Sequence, residues 1–464
     1  MQAHPVLSFI LISTIPLIIM IRELRQSHRI NKIYNFRKEL KHIKKQKNRQ
    51  IQQIKNMNIE DSTFIGTSRG KRPIYTPDDA KHICVCGTTG SGKTVALSNY
   101  IRTAVDKDYP LLIVDGKGDS GEGSIYDIVK RLKGNKKLYV INLNNPLKSD
   151  FYNPFYNASP TICKDMLINM TEWTEPHYKF NSERYLQRLI QIMALADMKL
   201  TFKNIIKHMD LDNFLALNAN LLKAGKITKD EHMANIALAK SCGKIAQDSI
   251  ARFSLLAESE LGYIFDDTGI DVYTAIKENA IILFILNPLI FPEISPLVGR
   301  LILIDSKKAL SKLYGENEKR IFFMFDEINS YASPTLIDLV NKSRSAKITC
   351  ILSMQSLSDL DYAAGEAFKQ QVIENCNNYI IMRQNSAVNA EHWANILCTR
   401  KTMEVTYQLE QKGLNTSTTG FGSAKRVREF YYHPDDIKML KTGEAILLSK
   451  DSGFHSKIMI FKPF

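Results

Sequence analysis

The stretch HICVCGTTGSGKTVALSNYIRTAV, from His82 to Val105, decides the fold. HICVC reads as a short buried strand, VALSNYIRTAV as a helix, and GTTGSGKT between them as a phosphate-binding loop in its required context. Gly87, Gly90 and Gly92 let the backbone turn, so that amides of Thr88, Thr89, Ser91 and their neighbours through Thr94 point inward at phosphate oxygens. The positive end of the following helix adds to that attraction. Lys93 reaches the β and γ phosphates and Thr94 offers its hydroxyl to magnesium, so the expected ligands are ATP and Mg2+. The complete motif, between a strand and a helix, argues against a plain glycine-rich turn.

A phosphate loop needs an acidic element at the tip of another strand, and RIFFMFDEINSYA, Arg320 to Ala332, supplies one. Bulky apolar residues from Ile321 to Phe325 bury the strand, and Asp326 emerges at its carboxyl end to hold the magnesium shell. Glu327 is the natural general base for the attacking water. An adjacent acidic pair can merely cap a helix, but the phosphate loop favours the catalytic reading. The next strand, in KITCILSMQS, ends in Gln355, whose amide is placed to sense the γ phosphate or hold the lytic water; the alternative is a surface glutamine at a strand end.

Working outward, short β-branched runs alternate with glycine-rich turns and helical stretches after Asp61, the texture of an α/β domain. Strands are expected at Ile83–Cys86, Leu111–Val114, Leu138–Ile141, Ile281–Leu286, Ile321–Phe325, Ile348–Met354, Tyr379–Met382, Ala445–Ser449 and Lys457–Phe461. Several are apolar on both faces, which fits a buried, mostly parallel sheet covered by helices. The stretch 157–265 breaks this rhythm with Leu, Ile, Met and Ala at helical spacing, and reads as an inserted all-helical domain. No internal repeat suggests a solenoid.

The chain of 464 residues carries a formal net charge of +14, much of it between Arg22 and Lys55, where the basic residues meet only Glu23 and Glu39. Before them, Met1 to Ile21 contains no Lys, Arg, Asp or Glu, and VLSFILISTIPLIIMI is almost wholly apolar. That is just long enough for a membrane helix. The charges follow the run instead of preceding it, which favours an uncleaved anchor over a signal peptide and puts the remaining chain in the cytoplasm. The basic segment also has apolar residues at helical spacing, and reads as an amphipathic connector facing anionic headgroups in preference to a coiled coil or a DNA-binding arm. Seven scattered cysteines lack zinc spacing and read as reduced, buried thiols.

Taken in order, several segments from Asp61 onward resemble the type IV coupling proteins of bacterial conjugation, in the FtsK and HerA superfamily of ring-shaped DNA pumps. They are FIGTSRGKRPIYTPDDAKHICVCGTTGSGKT, LLIVDGKGD, DFYNPF, FDDTGIDVYTAIKENAIILFILN, FFMFDE, ILSMQSLSDL and HPDDIKMLKTGEAILLSKDSG. The resemblance implies a RecA-like P-loop NTPase domain in two parts, 61–156 and 266–464, around the helical insert at 157–265; the apolar run and the basic segment before it add a transmembrane anchor at 1–21 and a basic helical linker at 22–60. It implies a homo-hexamer at the bacterial inner membrane that uses ATP hydrolysis to pass DNA, sequence-independently and as a single strand, from a relaxase and its relaxosome to a type IV secretion channel.

In such rings the nucleotide lies between subunits, and an arginine from a neighbour completes each site. Arg344, in NKSRSAKI, lies where similar proteins place it; it also reads as an ordinary surface arginine, and Arg383 after YIIM is the substitute. Many coupling proteins carry two membrane helices and some a long C-terminal extension, whereas only one candidate span is visible here. A motor for double-stranded DNA, a coupling ATPase that exports proteins and a non-hydrolysing membrane adaptor remain open alternatives.

Overall fold

Short apolar runs between polar turns become thirteen strands among the described residues. The computed structural model describes residues 59–464 apart from 80, 174, 266–267 and 413–414, together with residues 16 and 18–25. In chain order the strands are β1 (Ser62–Ser68), β2 (Pro73–Pro77), β3 (Ile83–Cys86), β4 (Leu111–Asp115), β5 (Leu138–Asn142), β6 (Ile281–Ile285), β7 (Ile321–Asp326), β8 (Ile348–Met354), β9 (Asn378–Ile381), β10 (Thr399–Lys412), β11 (Asn415–Phe430), β12 (Glu444–Ser449) and β13 (Phe454–Ile460). Eleven form one sheet in the order β2-β1-β13-β12-β9-β3-β8-β7-β4-β6-β5. The pairings from β9 through β5 are all parallel. Strands β3, β4, β6, β7, β8 and β9 are buried at every residue, as expected where helices cover both faces of a parallel sheet.

The sheet is mixed in a way the sequence did not announce. Strands β12, β13, β1 and β2 extend it antiparallel from β9. β1 and β2 were not expected. β1 has only Phe64 and Ile65 as bulky apolar residues and its pairing with β2 shifts register between Phe64 and Gly66, and β2 begins and ends on proline, which suits its place at the edge. The hairpin of β10 and β11 forms a second sheet of two strands and was likewise not expected.

Between β5 and β6 every element among the described residues is helical: the short turn Pro146–Lys148, then Pro160–Asn169, Pro176–Leu195, Phe202–Met209, Leu211–Lys223, Lys229–Ala257, the short turn Glu260–Ile264 and Val272–Lys277. Local chemistry sets their starts. Ser159 accepts from the amide of Ile162 ahead of Pro160, and Thr228 and Glu231 form a reciprocal capping box. Apolar residues of these helices and of the sheet join in one continuous core.

The expected anchor at 1–21 and linker at 22–60 lie mostly outside the described residues; residues 18–25 are helical and exposed. Among the described residues no helix is long and apolar enough to cross a membrane. Six cysteines are buried and free, as read from the sequence, but Cys398 is exposed, because it stands at the root of the hairpin rather than within an apolar run.

Candidate nucleotide-binding site

The phosphate loop leaves the carboxyl end of β3, and its neighbours in the sheet, β8, β7 and β4, bring Gln355, Asp326, Glu327 and Asp115 to the same edge. The loop is braced from two sides. Gly87 donates from its amide to the carbonyl of Met354 at 3.3 Å, and Thr88 donates to the carbonyl of Arg383 from its amide at 3.0 Å and its hydroxyl at 3.2 Å. On the far side Gly443 donates its amide to the Ser91 carbonyl at 2.9 Å, and the Thr442 hydroxyl donates to the Gly90 carbonyl at 3.0 Å. Gly90 and Gly92 have φ of 75° and 106°, where a side chain would be strained, and a Cβ on Gly87 would sit 2.6 Å from both Ser91 Oγ and Met382 Cβ. Lys93 and Thr94 open the helix Lys93–Asp106.

Charge gathers where the loop meets the acidic pair. Lys93 Nζ is 3.1 Å from Glu327 Oε1, and the Gln355 amide donates to the same oxygen at 3.2 Å. The Thr89 hydroxyl donates to Gln355 Oε1 at 3.3 Å, so the glutamine links the loop to the carboxylate. Glu327 has a left-handed backbone, φ 48° and ψ 53°, which a residue other than glycine seldom adopts. Such strain persists only where the surroundings hold it, and here it turns the carboxylate to the lysine. Burial pushes the Glu327 carboxyl above its ordinary value, against the pull of Lys93 and with a push from Asp326.

The Asp326 side chain is buried, and its Oδ1 has no hydrogen-bond partner among the described residues. A buried carboxylate oxygen is normally satisfied, and one left open beside an ammonium and a glycine-walled loop fits the site of a cation. Thr94 and Asp326 would hold magnesium, which when bound would neutralise charge on the phosphate oxygens.

Asp115 is the group that reading the sequence missed. It is the register partner of Asp326 on the adjacent strand, and its Oδ1 accepts from the amides of Lys117 at 2.9 Å and Gly118 at 3.3 Å. Burial, reinforced by the negative charge of Asp326, pushes its carboxyl up to about 7. The signal was present: LLIV followed by Asp repeats the grammar of FFMF followed by Asp. Gly116 then passes so close to the acidic pair that a Cβ would lie 2.7 Å from the Asp326 carbonyl oxygen.

The arginines are placed differently from the rest. Arg344 is exposed and precedes the amino end of β8, whereas Gln355 follows its carboxyl end. A strand of that length separates them by roughly 20 Å, so Arg344 is not part of the site on its own chain. Arg383 is half-buried and braces the loop through its carbonyl.

Comparison with known proteins fits this architecture. Residues 320–441 match the family model of the TraM recognition site of TraD and TraG, and residues 73–236 match that of the helicase HerA central domain. An uncharacterised protein of Mycoplasma pneumoniae is 30% identical over 99 residues, covering 21% of this chain and 66% of that protein. The type 4 coupling protein DotL of Legionella pneumophila is 26% identical over 122 residues, covering 23% of this chain and 16% of DotL. The chain thus spans between 16% and 66% of the length of the curated relatives it matches. The bacterial conjugative coupling protein TrwB shares the fold with a TM-score of 0.63 at 16% identity, over 89% of this chain and 91% of that one. TrwB has also been solved with ADP and Mg2+ and with a non-hydrolysable ATP analogue. The chain is thus similar to the helicase HerA central domain over 73–236 and to the TraM recognition site of TraD and TraG over 320–441, on a fold it shares with TrwB.

Proposed function

We propose that the protein is an ATPase that links a DNA substrate to a type IV secretion channel during conjugation. The observation that carries the reading is the convergence of Lys93 and Gln355 on one oxygen of Glu327, beside a buried Asp326 oxygen with no partner. Lys93, now held by Glu327, can turn to the β and γ phosphates and leave the carboxylate free to take a proton from water. That water attacks the γ phosphorus, the bond to the ADP oxygen breaks, and Gln355 holds the nucleophile in line. The match to nucleotide-bound TrwB and to the HerA central domain supports ATP with Mg2+ as the ligands.

The ring, the DNA and the membrane belong to the same proposal. Arg344 is exposed and has no ion-pair partner among the described residues, which suits a side chain that completes a neighbour's site in a homo-hexamer. The helical stretch 157–265 is an inserted domain open to relaxosome proteins, and the segment that matches the TraM recognition site, 320–441, offers them a second contact outside it. Residues 1–21 anchor the chain in the inner membrane, and the basic residues from 22 to 60 lie against its cytoplasmic face.

Phosphate release by the full chain in detergent, with and without single-stranded DNA, tests the reading. DNA-stimulated hydrolysis is expected; hydrolysis indifferent to DNA would leave a nucleotidase without the coupling role. Mixing subunits tests the arginine. Lys93→Ala and Arg344→Ala chains should each be inactive and recover part of the turnover when combined, whereas no recovery would remove Arg344 from the neighbour's site.

A further inference from the structure

His82, the residue just before β3, holds the turn that carries Arg344. That turn, Arg344–Ala346, joins the helix Pro334–Ser343 to β8, and Arg344 itself is exposed. Both of its flanks are tied to the one buried imidazole. On the β8 side the Cys350 amide donates to His82 Nδ1 at 3.1 Å, which leaves the ring proton on Nε2. On the helix side Nε2 donates to Ser343 Oγ at 3.3 Å, and the Ser343 hydroxyl donates to the Val340 carbonyl at 2.9 Å. Burial lowers the imidazole from 6.5 to about 4, against a hydrogen bond to that carbonyl and with a push from the nearby Arg344 charge. The ring is therefore neutral at neutral pH and accepts and donates at once.

The same strand carries the phosphate loop at its other end, since Ile83–Cys86 is all that separates His82 from Gly87. Its foot is fixed on both sides: the His82 carbonyl accepts from the amides of Asn377 and Asn378 at 3.1 and 3.2 Å, at the start of β9. An apolar residue would pack here at less desolvation cost than a histidine and a wholly buried serine. What the polar pair adds is a single defined position for the last turn of the helix before Arg344.

We propose that His82 and Ser343 are positioning residues that set Arg344 for the nucleotide held by the neighbouring subunit. The inference rests on the reading of Arg344 as the arginine that completes a neighbour's site, and names what fixes it there. A long side chain that must reach into another subunit needs a fixed backbone beneath it, because a misplacement of about 1 Å can cost on the order of 10²-fold in rate.

Steady-state phosphate release by the full chain in detergent, alone and in mixed subunits, tests this. Ser343→Ala removes the acceptor of Nε2; His82→Asn keeps an oxygen for the Cys350 amide and removes the link to Ser343. Each should lower kcat about 10-fold or more and leave the binding of a non-hydrolysable ATP analogue unchanged, because its own phosphate loop is intact. Each should recover turnover when mixed with Lys93→Ala chains but not with Arg344→Ala chains, the pattern of a defect in what a subunit gives its neighbour. Added to Arg344→Ala, Ser343→Ala should lower kcat no further. A further loss in that double variant, or no recovery with Lys93→Ala chains, marks a purely structural role and overturns the assignment. Native turnover in Ser343→Ala and His82→Asn while Arg344→Ala is inactive overturns it too and leaves Arg344 in place; native turnover in Arg344→Ala removes both.

Discussion

Two buried lysines in this chain do opposite work, and the difference lies in how completely each is satisfied. Lys308, in the helix Ile294–Leu313, is surrounded: the carbonyls of Pro154 and Tyr156 accept at 2.8 and 2.6 Å, and Asp271 Oδ2 accepts at 2.8 Å. Asp305 Oδ1 lies 2.9 Å away as an ion-pair contact. The Asp305 carboxylate in turn accepts from the Tyr152 hydroxyl and the Val272 amide. This cluster ties the segment DFYNPF, which enters the helical stretch, to the segment that returns from it. Lys93 instead meets a single carboxylate oxygen, next to an aspartate with a buried and unpartnered oxygen. A saturated buried charge stabilises a junction; an unsaturated one is arranged for something that arrives.

Substitution should separate the two. Lys93→Ala is expected to lower turnover by about 10³-fold or more, since it removes the ammonium aimed at the phosphates, and steady-state phosphate release reads it. Glu327→Gln should keep nucleotide binding and reduce hydrolysis by roughly 10²- to 10³-fold, with product release in a single-turnover experiment as the check. Lys308→Met should act on the fold: leaving two buried carboxylates without their cation costs about 3–5 kcal/mol, visible as a lower unfolding midpoint in urea. Comparable loss of stability from Lys93→Ala would blur the distinction.

The smallest expected effect concerns pH. The Asp115 carboxyl is raised from its ordinary 3.8 to about 7, so between those values the folded chain holds a proton that the unfolded chain has released. This contribution to stability is full below the unfolded value and is lost as pH rises through about 7. Without nucleotide or magnesium, Asp115→Asn should therefore be more stable than the native chain at pH 8, by on the order of 2 kcal/mol, with the gain vanishing near pH 4. Thermal melts across that range check the sign.

How much could be read beforehand follows the same division between local and assembled features. The phosphate loop, Asp326, Glu327 and Gln355 were legible because each follows a run of apolar residues that can only be a buried strand. Their convergence was not, since the order that sets β8 between β3 and β7 depends on contacts far apart in sequence. Asp115 follows a strand of the same form, but its place opposite Asp326 is set by the register of two strands far apart in the chain. The bracing by Thr442 and Gly443 has no local signal at all; TG before a strand is common, and only the fold brings it against Gly90 and Ser91. In β10, Met403, Val405, Tyr407 and Leu409 alternate with polar residues, a strand signal the sequence did carry, whereas β11, rich in Ser, Thr and Gly, has none as clear.

The central claim is that Lys93 and Asp326 serve one ligand, the first through its phosphates and the second through its metal. Calorimetric binding of a non-hydrolysable ATP analogue, with Mg2+ and with EDTA, tests it most directly on the native chain, Lys93→Ala and Asp326→Asn. The account predicts tight binding that depends on Mg2+ in the native chain, none in Lys93→Ala, and a weaker interaction nearly indifferent to Mg2+ in Asp326→Asn. Undiminished Mg2+ dependence in Asp326→Asn would contradict it.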